Sequence, residues 1–149
     1  YSGMTVLANK ALTDGFTMED FNSPEVTFAA RRGATPAAVI AQLFPQANIL
    51  LFDEDGASTQ EILNGNAHAT MASEPTPSDE MRRYPDTLSV PFDRSFLATG
   101  EAFAMRKGDP DATNFFNNWV GLNWKNGWLK ERNDYWFKGD EWRASVTAD

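Results

Sequence analysis

Short apolar runs separated by helix-length segments recur from Met4 to Arg106, and this alternation restricts the fold more than any other property of the sequence. Met4–Ala8 reads as a strand, and the polar stretch Asp14–Asn22 leads to a turn at Pro24. Val26–Ala30 is a dense apolar run stopped by Gly33, which predicts a buried strand feeding a turn. Thr35 and Pro36 then supply an N-cap and a first-turn proline, and apolar residues at 39, 40, 43 and 44 carry a helix over Ala37–Phe44. Asn48–Phe52 is the next strand, Asp53–Ser58 a loop, Thr59–Asn64 a short helix closed by Gly65, and Ala67–Ala72 a strand. Pro75 and Pro77 break the chain, Ser78–Tyr84 predicts one or two helical turns, and Leu88–Val90 and Ala102–Arg106 predict further strands. Strands joined in this way predict an α/β fold, with a mainly parallel sheet covered by helices on both faces and right-handed crossovers.

The pattern changes at Gly108-Asp-Pro110, so residues 1–108 are expected to form one unit and 109–149 a helical segment. Asp109-Pro-Asp opens a helix with acidic residues at its positive end. Ala112, Phe115, Phe116, Trp119 and Val120 then fall on one face. Trp124, Trp128, Tyr135, Trp136, Phe137 and Trp142 continue an aromatic-rich tail, which reads as packing surface or, alternatively, as a stacking platform for a ligand.

Charge and residue usage exclude several functions. A net charge of −8 argues against nucleic acid, and the pairs Arg31-Arg32 and Arg82-Arg83 are too small to reverse it. With no cysteine there is no disulfide framework or thiol chemistry. His68 is the only histidine, so a multi-histidine metal site cannot be built, and no metal or cofactor is expected. The acidic run Asp53-Glu-Asp lacks the alternating ligands of a calcium loop. Ser73 and Ser95 stand in no nucleophile motif, and no glycine-rich phosphate loop occurs.

Three stretches carry a family resemblance: Val26-Thr-Phe-Ala-Ala-Arg-Arg-Gly-Ala-Thr35, Asn64-Gly-Asn-Ala-His-Ala69 and Gly100-Glu-Ala-Phe-Ala-Met-Arg-Lys-Gly-Asp-Pro110. Together they resemble the second lobe of bacterial periplasmic solute-binding proteins of family 3, the type that serves amino-acid ABC importers. The resemblance covers most of residues 2–142. It implies one lobe of a type II periplasmic-binding-protein fold, with hinge strands inside residues 1–108 and a tail, 109–149, that packs on a first lobe expected to precede Tyr1. Without that lobe the tail is expected to expose an apolar surface, and the chain to dimerise or fold the tail back on itself.

The resemblance also implies a binding site for a small polar solute, an amino acid or a related carboxylate, at two strand ends. The amides of Ala34 and Thr35 at a helix start would receive a carboxylate, with Arg31 beside it. Read alone, Thr35 is equally a helix cap and Arg31 a solvated charge. Ser73 stands where the family usually has the aspartate that pairs with the ligand ammonium group, and Glu74 follows it as a substitute. The implied role is the periplasmic binding component of an ABC importer, with a membrane permease as partner. A second reading is enzymatic: cyclohexadienyl or arogenate dehydratases share the fold, and Glu74 would be the general acid if its carboxyl were desolvated. A ligand-sensing domain of a signalling protein is the third. No run is long and apolar enough to span a bilayer.

Overall fold

Alternate residues of the first strand enter two different cores, and this fixes the layering. In the computed structural model, which describes residues 2–54, 56–100, 102–139 and 141–146, β1 spans Ser2–Asn9. Its Met4, Val6 and Ala8 join one apolar cluster and Leu7 joins another. Successive strand side chains point to opposite faces, so the sheet is covered on both. Tyr1, Asp55 of the acidic run, Glu101 of the Gly100–Pro110 stretch and the end of the tail lie outside the described residues.

The elements that follow are α1 (Met18–Phe21), β2 (Thr27–Arg31), α2 (Thr35–Leu43), β3 (Asn48–Phe52), α3 (Ala57–Leu63), β4 (Ala69–Ser73), α4 (Thr76–Arg83), β5 (Leu88–Ser89) and β6 (Leu97–Thr99). Phe21 of α1, Ile40 of α2 and Phe44 close one face over Phe28, Ala30 and Met71. Ile62 of α3 and the half-buried Met81 of α4 cover the other, against Leu7, Ala29 and Leu88. Phe28 stacks on Phe44 with ring centres 4.9 Å apart, and Phe21 meets both. Burying such a ring stabilises the fold by roughly 1.5–3 kcal/mol.

The α/β lobe expected from the sequence is present, in a mixed sheet of order β3-β2-β4-β1-β5 with β6 also on β1. β2 is parallel to β3 and β4, as helical crossovers require. β1 runs against β4, β5 and β6. The expected strand Ala102–Arg106 does not form: these residues carry no regular secondary structure and join no ladder among the described residues. Chain contacts divide the protein into Tyr1–Thr99 and Gly100–Asp149, earlier than the expected boundary at 108.

The second unit holds α5 (Pro110–Lys125), α6 (Trp128–Asn133), a π-helical turn (Asp134–Lys138) and α7 (Glu141–Val146). The Asp109 carboxylate caps α5 by accepting from the Ala112 amide at 2.9 Å. Only part of the predicted apolar face is used. Phe116 and Trp119 pack on Phe103, and Trp119 meets Trp128 at 5.6 Å, whereas Phe115 is 63% exposed.

Gly3 shows how closely β1 and the segment entering β6 approach. A methyl group added there would lie 2.6 Å from the Ser95 Cβ, so one of the two backbones must move. Gly3→Ala is therefore expected to destabilise the first unit by roughly 1–3 kcal/mol, as overpacking does. Ser95→Gly in the same chain should recover most of it. Urea titration of the two single variants and the double variant checks this, and additive losses would contradict it.

A candidate ligand-binding edge of the sheet

The parallel strands β2 and β4 end side by side, since Phe28 pairs with Ala69 and both strands run the same way. Their last residues, Arg31 and Ser73, therefore share one margin of the sheet, the carboxyl edge where open α/β sheets gather ligands. The β1 residue facing Ser73 is Met4.

After β2 the chain turns within three residues. The Ala34 amide donates to the Arg31 carbonyl at 3.3 Å, and Gly33 adopts φ 72°, a left-handed conformation that favours glycine. α2 then begins at Thr35 with Pro36 in its first turn. Thr35 was expected to cap this helix, but Ala34 holds the cap position with no side-chain bond. The helix therefore starts one residue earlier than a threonine cap would give, and Pro36 stands within its first turn, where its missing amide leaves no intrahelical bond unmade. Ala34 spends its amide on the turn, leaving Thr35 as the first amide without an acceptor inside the helix. The Arg31 side chain is exposed at this edge.

Ser73 and Glu74 are both half-buried. The Glu74 amide donates to the Gly3 carbonyl at 2.8 Å, extending the β1–β4 ladder, and a cis peptide joins Glu74 to Pro75. Glu74 lines an open cleft of about 540 Å³ together with Thr5, Ser78, Asp93, Arg94 and Ser95. None of Arg31, Ala34, Thr35 or Ser73 lines it. The cleft exists because the chain leaves the sheet between β5 and β6. The Thr5 hydroxyl donates to the Arg94 carbonyl at 3.2 Å, and the Arg94 guanidinium lies 4.6 Å from the Phe96 ring centre. Residues 92–95 carry no sequence signal for this role; only their return to β1 brings them beside Glu74.

No protein-family model and no curated protein matches the sequence. Solved structures do. A protein from Wolinella succinogenes described as the binding component of an ABC transporter, complexed with lysine, superposes with a TM-score of 0.85 at 26% identity, over 96% of this chain and 62% of its own. An ancestral amino-acid-binding protein, described as a precursor of cyclohexadienyl dehydratase, gives 0.72 at 29% identity, over 91% of this chain and 57% of its own. A Streptococcus pneumoniae substrate-binding protein of an amino-acid ABC transporter, bound to L-arginine, gives 0.66 at 20% identity, which bears on the fold alone. The chain is similar to a lobe of the amino-acid solute-binding proteins. It spans less than two thirds of the length of these relatives.

In this lobe His68 works inside the sheet. It immediately precedes β4, its Nδ1 accepts from the Thr27 amide at 3.1 Å, and its own amide donates to the Thr27 carbonyl at 2.8 Å. The neutral ring thus keeps its proton on Nε2. Partial desolvation pulls the imidazole below its ordinary value of 6.5. The unfolded chain then binds the extra proton first, so stability should fall as pH drops through and below about 6.5. Equilibrium unfolding at about pH 7.5 and about pH 5.5 is expected to show that loss, and His68→Gln to reduce it. An undiminished pH dependence in the variant would assign the effect elsewhere.

Of the acidic run, Asp53 is tied locally. Asp53 pairs with Arg32 at 3.0 Å, with both side chains exposed, and such a pair contributes little. Among the described residues, no group of three or more His, Cys, Asp and Glu side chains could hold a metal ion, and no helix is long and apolar enough to cross a membrane.

Proposed function

We propose that this lobe is part of the periplasmic binding component of an ABC importer for a small polar solute, an amino acid or related carboxylate, delivered to a membrane permease. The observation that carries the reading is the convergence of Arg31, the start of α2 and Ser73 on one sheet margin, in a fold shared with lysine- and arginine-bound proteins. Arg31 and the Thr35 amide supply positive potential for the carboxylate, while Ser73 and Glu74 offer oxygen atoms to an ammonium group. Ser73 brings no charge, so selectivity for the ammonium end falls to Glu74. NMR titration of the 149-residue chain with lysine and arginine tests this. Shifts are expected at residues 31–36 and 73–76, saturating only at high ligand concentration, since one lobe offers one wall of a two-walled site. Shifts confined to other regions would overturn the assignment.

A second reading has support in the likeness to a dehydratase precursor and in Glu74 lining a cleft. There Glu74 would act as general acid in an elimination. Turnover of prephenate or arogenate, lost in Glu74→Gln, would favour it over binding.

A further inference from the structure

β3 forms one margin of the sheet, with β2 on its inner side. The Asn48 amide donates to the Val26 carbonyl and the Phe52 carbonyl accepts from the Arg32 amide, both at 2.8 Å. Backbone groups alternate sides along a strand, so Asn48, Leu50 and Phe52 bond towards β2 and Ile49 and Leu51 direct theirs outward. Leu50 and Leu51 are 41% and 38% exposed. Protein edges are usually protected by charge, proline or a bulge, and residues 48–52 contain no charge and no proline. From Gly33 to Phe52 no charged residue occurs, in a chain that is 23% charged. That span includes α2, whose Ala38, Ala41 and Gln42 are exposed where a solvated helix face normally carries charge.

We propose that this margin, whose strand carries no charge of its own, docks a second copy of the chain, with the two β3 strands pairing antiparallel about a two-fold axis at Leu50 and the sheet continuing across both. The register closes on itself. Ile49 of each copy faces Leu51 of the other, so the outward amides and carbonyls of both residues are satisfied reciprocally. The Leu51 carbonyl also accepts from the Arg32 guanidinium at 3.3 Å, and its second lone pair serves the incoming strand. The two Leu50 side chains meet on the axis. Charge selects this arrangement over a parallel one. Asp53 and Glu54 fall opposite the uncharged Ala47 and Gln46 of the second copy, whereas parallel pairing would set like charges side by side.

The chain has no cysteine, so single thiols report the register directly. Opposed residues of a non-hydrogen-bonded antiparallel pair have Cα atoms about 4.5 Å apart, within the about 4.4–6.8 Å a disulfide spans. Leu50→Cys is therefore expected to give a covalent dimer under mild oxidation at least tenfold faster than Leu51→Cys, whose mates are offset along the strands. Sedimentation of the parent chain should show a dimer, and Leu51→Pro, which removes an outward amide, should yield a folded monomer by circular dichroism. Equal cross-linking of the two cysteine variants, or a parent that stays monomeric at every concentration, overturns the proposal. So does a dimer broken by Trp124→Ser but not by Leu51→Pro, which would place the contact on the aromatic tail.

Discussion

Phe28→Ala is expected to destabilise the Tyr1–Thr99 unit by about 3–5 kcal/mol, a large share of the about 5–15 kcal/mol that holds an ordinary domain. Phe28, the second residue of β2, is fully buried and touches the rings of Phe21 and Phe44, so truncation removes a stacked pair and leaves a cavity between sheet and helices. The backbone of β2, bonded on both sides to β3 and β4, cannot collapse into that space. Phe28→Leu, which keeps most of the volume, should cost less than half as much. Phe115→Ala in α5, at a position 63% exposed, should stay within about 0.5 kcal/mol of the parent. Urea unfolding followed by circular dichroism separates these cases, and a loss below about 1 kcal/mol for Phe28→Ala would show that the core does not rest on this ring.

Arg31→Ala is expected to weaken binding of a basic amino acid by roughly five-fold. The loss of a charge-assisted contact costs about 2–5 kcal/mol when the pair is buried, but Arg31 is exposed, so the loss is nearer to that of a solvated ion pair, about 1 kcal/mol. The effect should depend on the ligand carboxylate. Arginine amide, which lacks it, should bind the parent chain and the variant with equal affinity, whereas arginine should distinguish them. Titration followed by NMR measures both. Equal weakening of both ligands would mean that Arg31 acts on the fold of the turn and not on the carboxylate.

Apart from α1, whose residues read only as part of a polar stretch, the strand and helix order of residues 4–89 was legible because each element obeys local rules. The dense apolar run Val26–Ala30 becomes a buried strand, Pro36 stands in the first turn of α2, and Gly65 follows the end of α3 with φ 76°. Local rules failed where a partner decides. Ala102–Arg106 has the composition of a strand but no neighbour to bond, and α5 was given a wider apolar face than its contacts with Phe103 and Trp128 use. The Thr35 cap failed by one residue: the helix includes Thr35, and Ala34 holds the cap position without a side-chain bond.

The candidate site divides in the same way. Arg31 and Thr35 stand at a strand end followed by glycine and a helix start, which is a local feature, but it was the family resemblance that singled them out as ligand contacts together with Ala34, Ser73 and Glu74. Their grouping was not local. That Ser73 borders Arg31 follows from the parallel pairing of β2 with β4, and that Glu74 shares a cleft with Asp93 and Ser95 follows from the return of the chain to β1. The sequence by itself determined most strands and helices between Met4 and Ser89 and the helix start that follows β2, because period, proline and glycine act over a few bonds. Only the tertiary structure decided the direction of β1, the bare margin of β3 and the separation of Glu74 from Arg31, because hydrogen-bond ladders and packing join residues far apart in the chain.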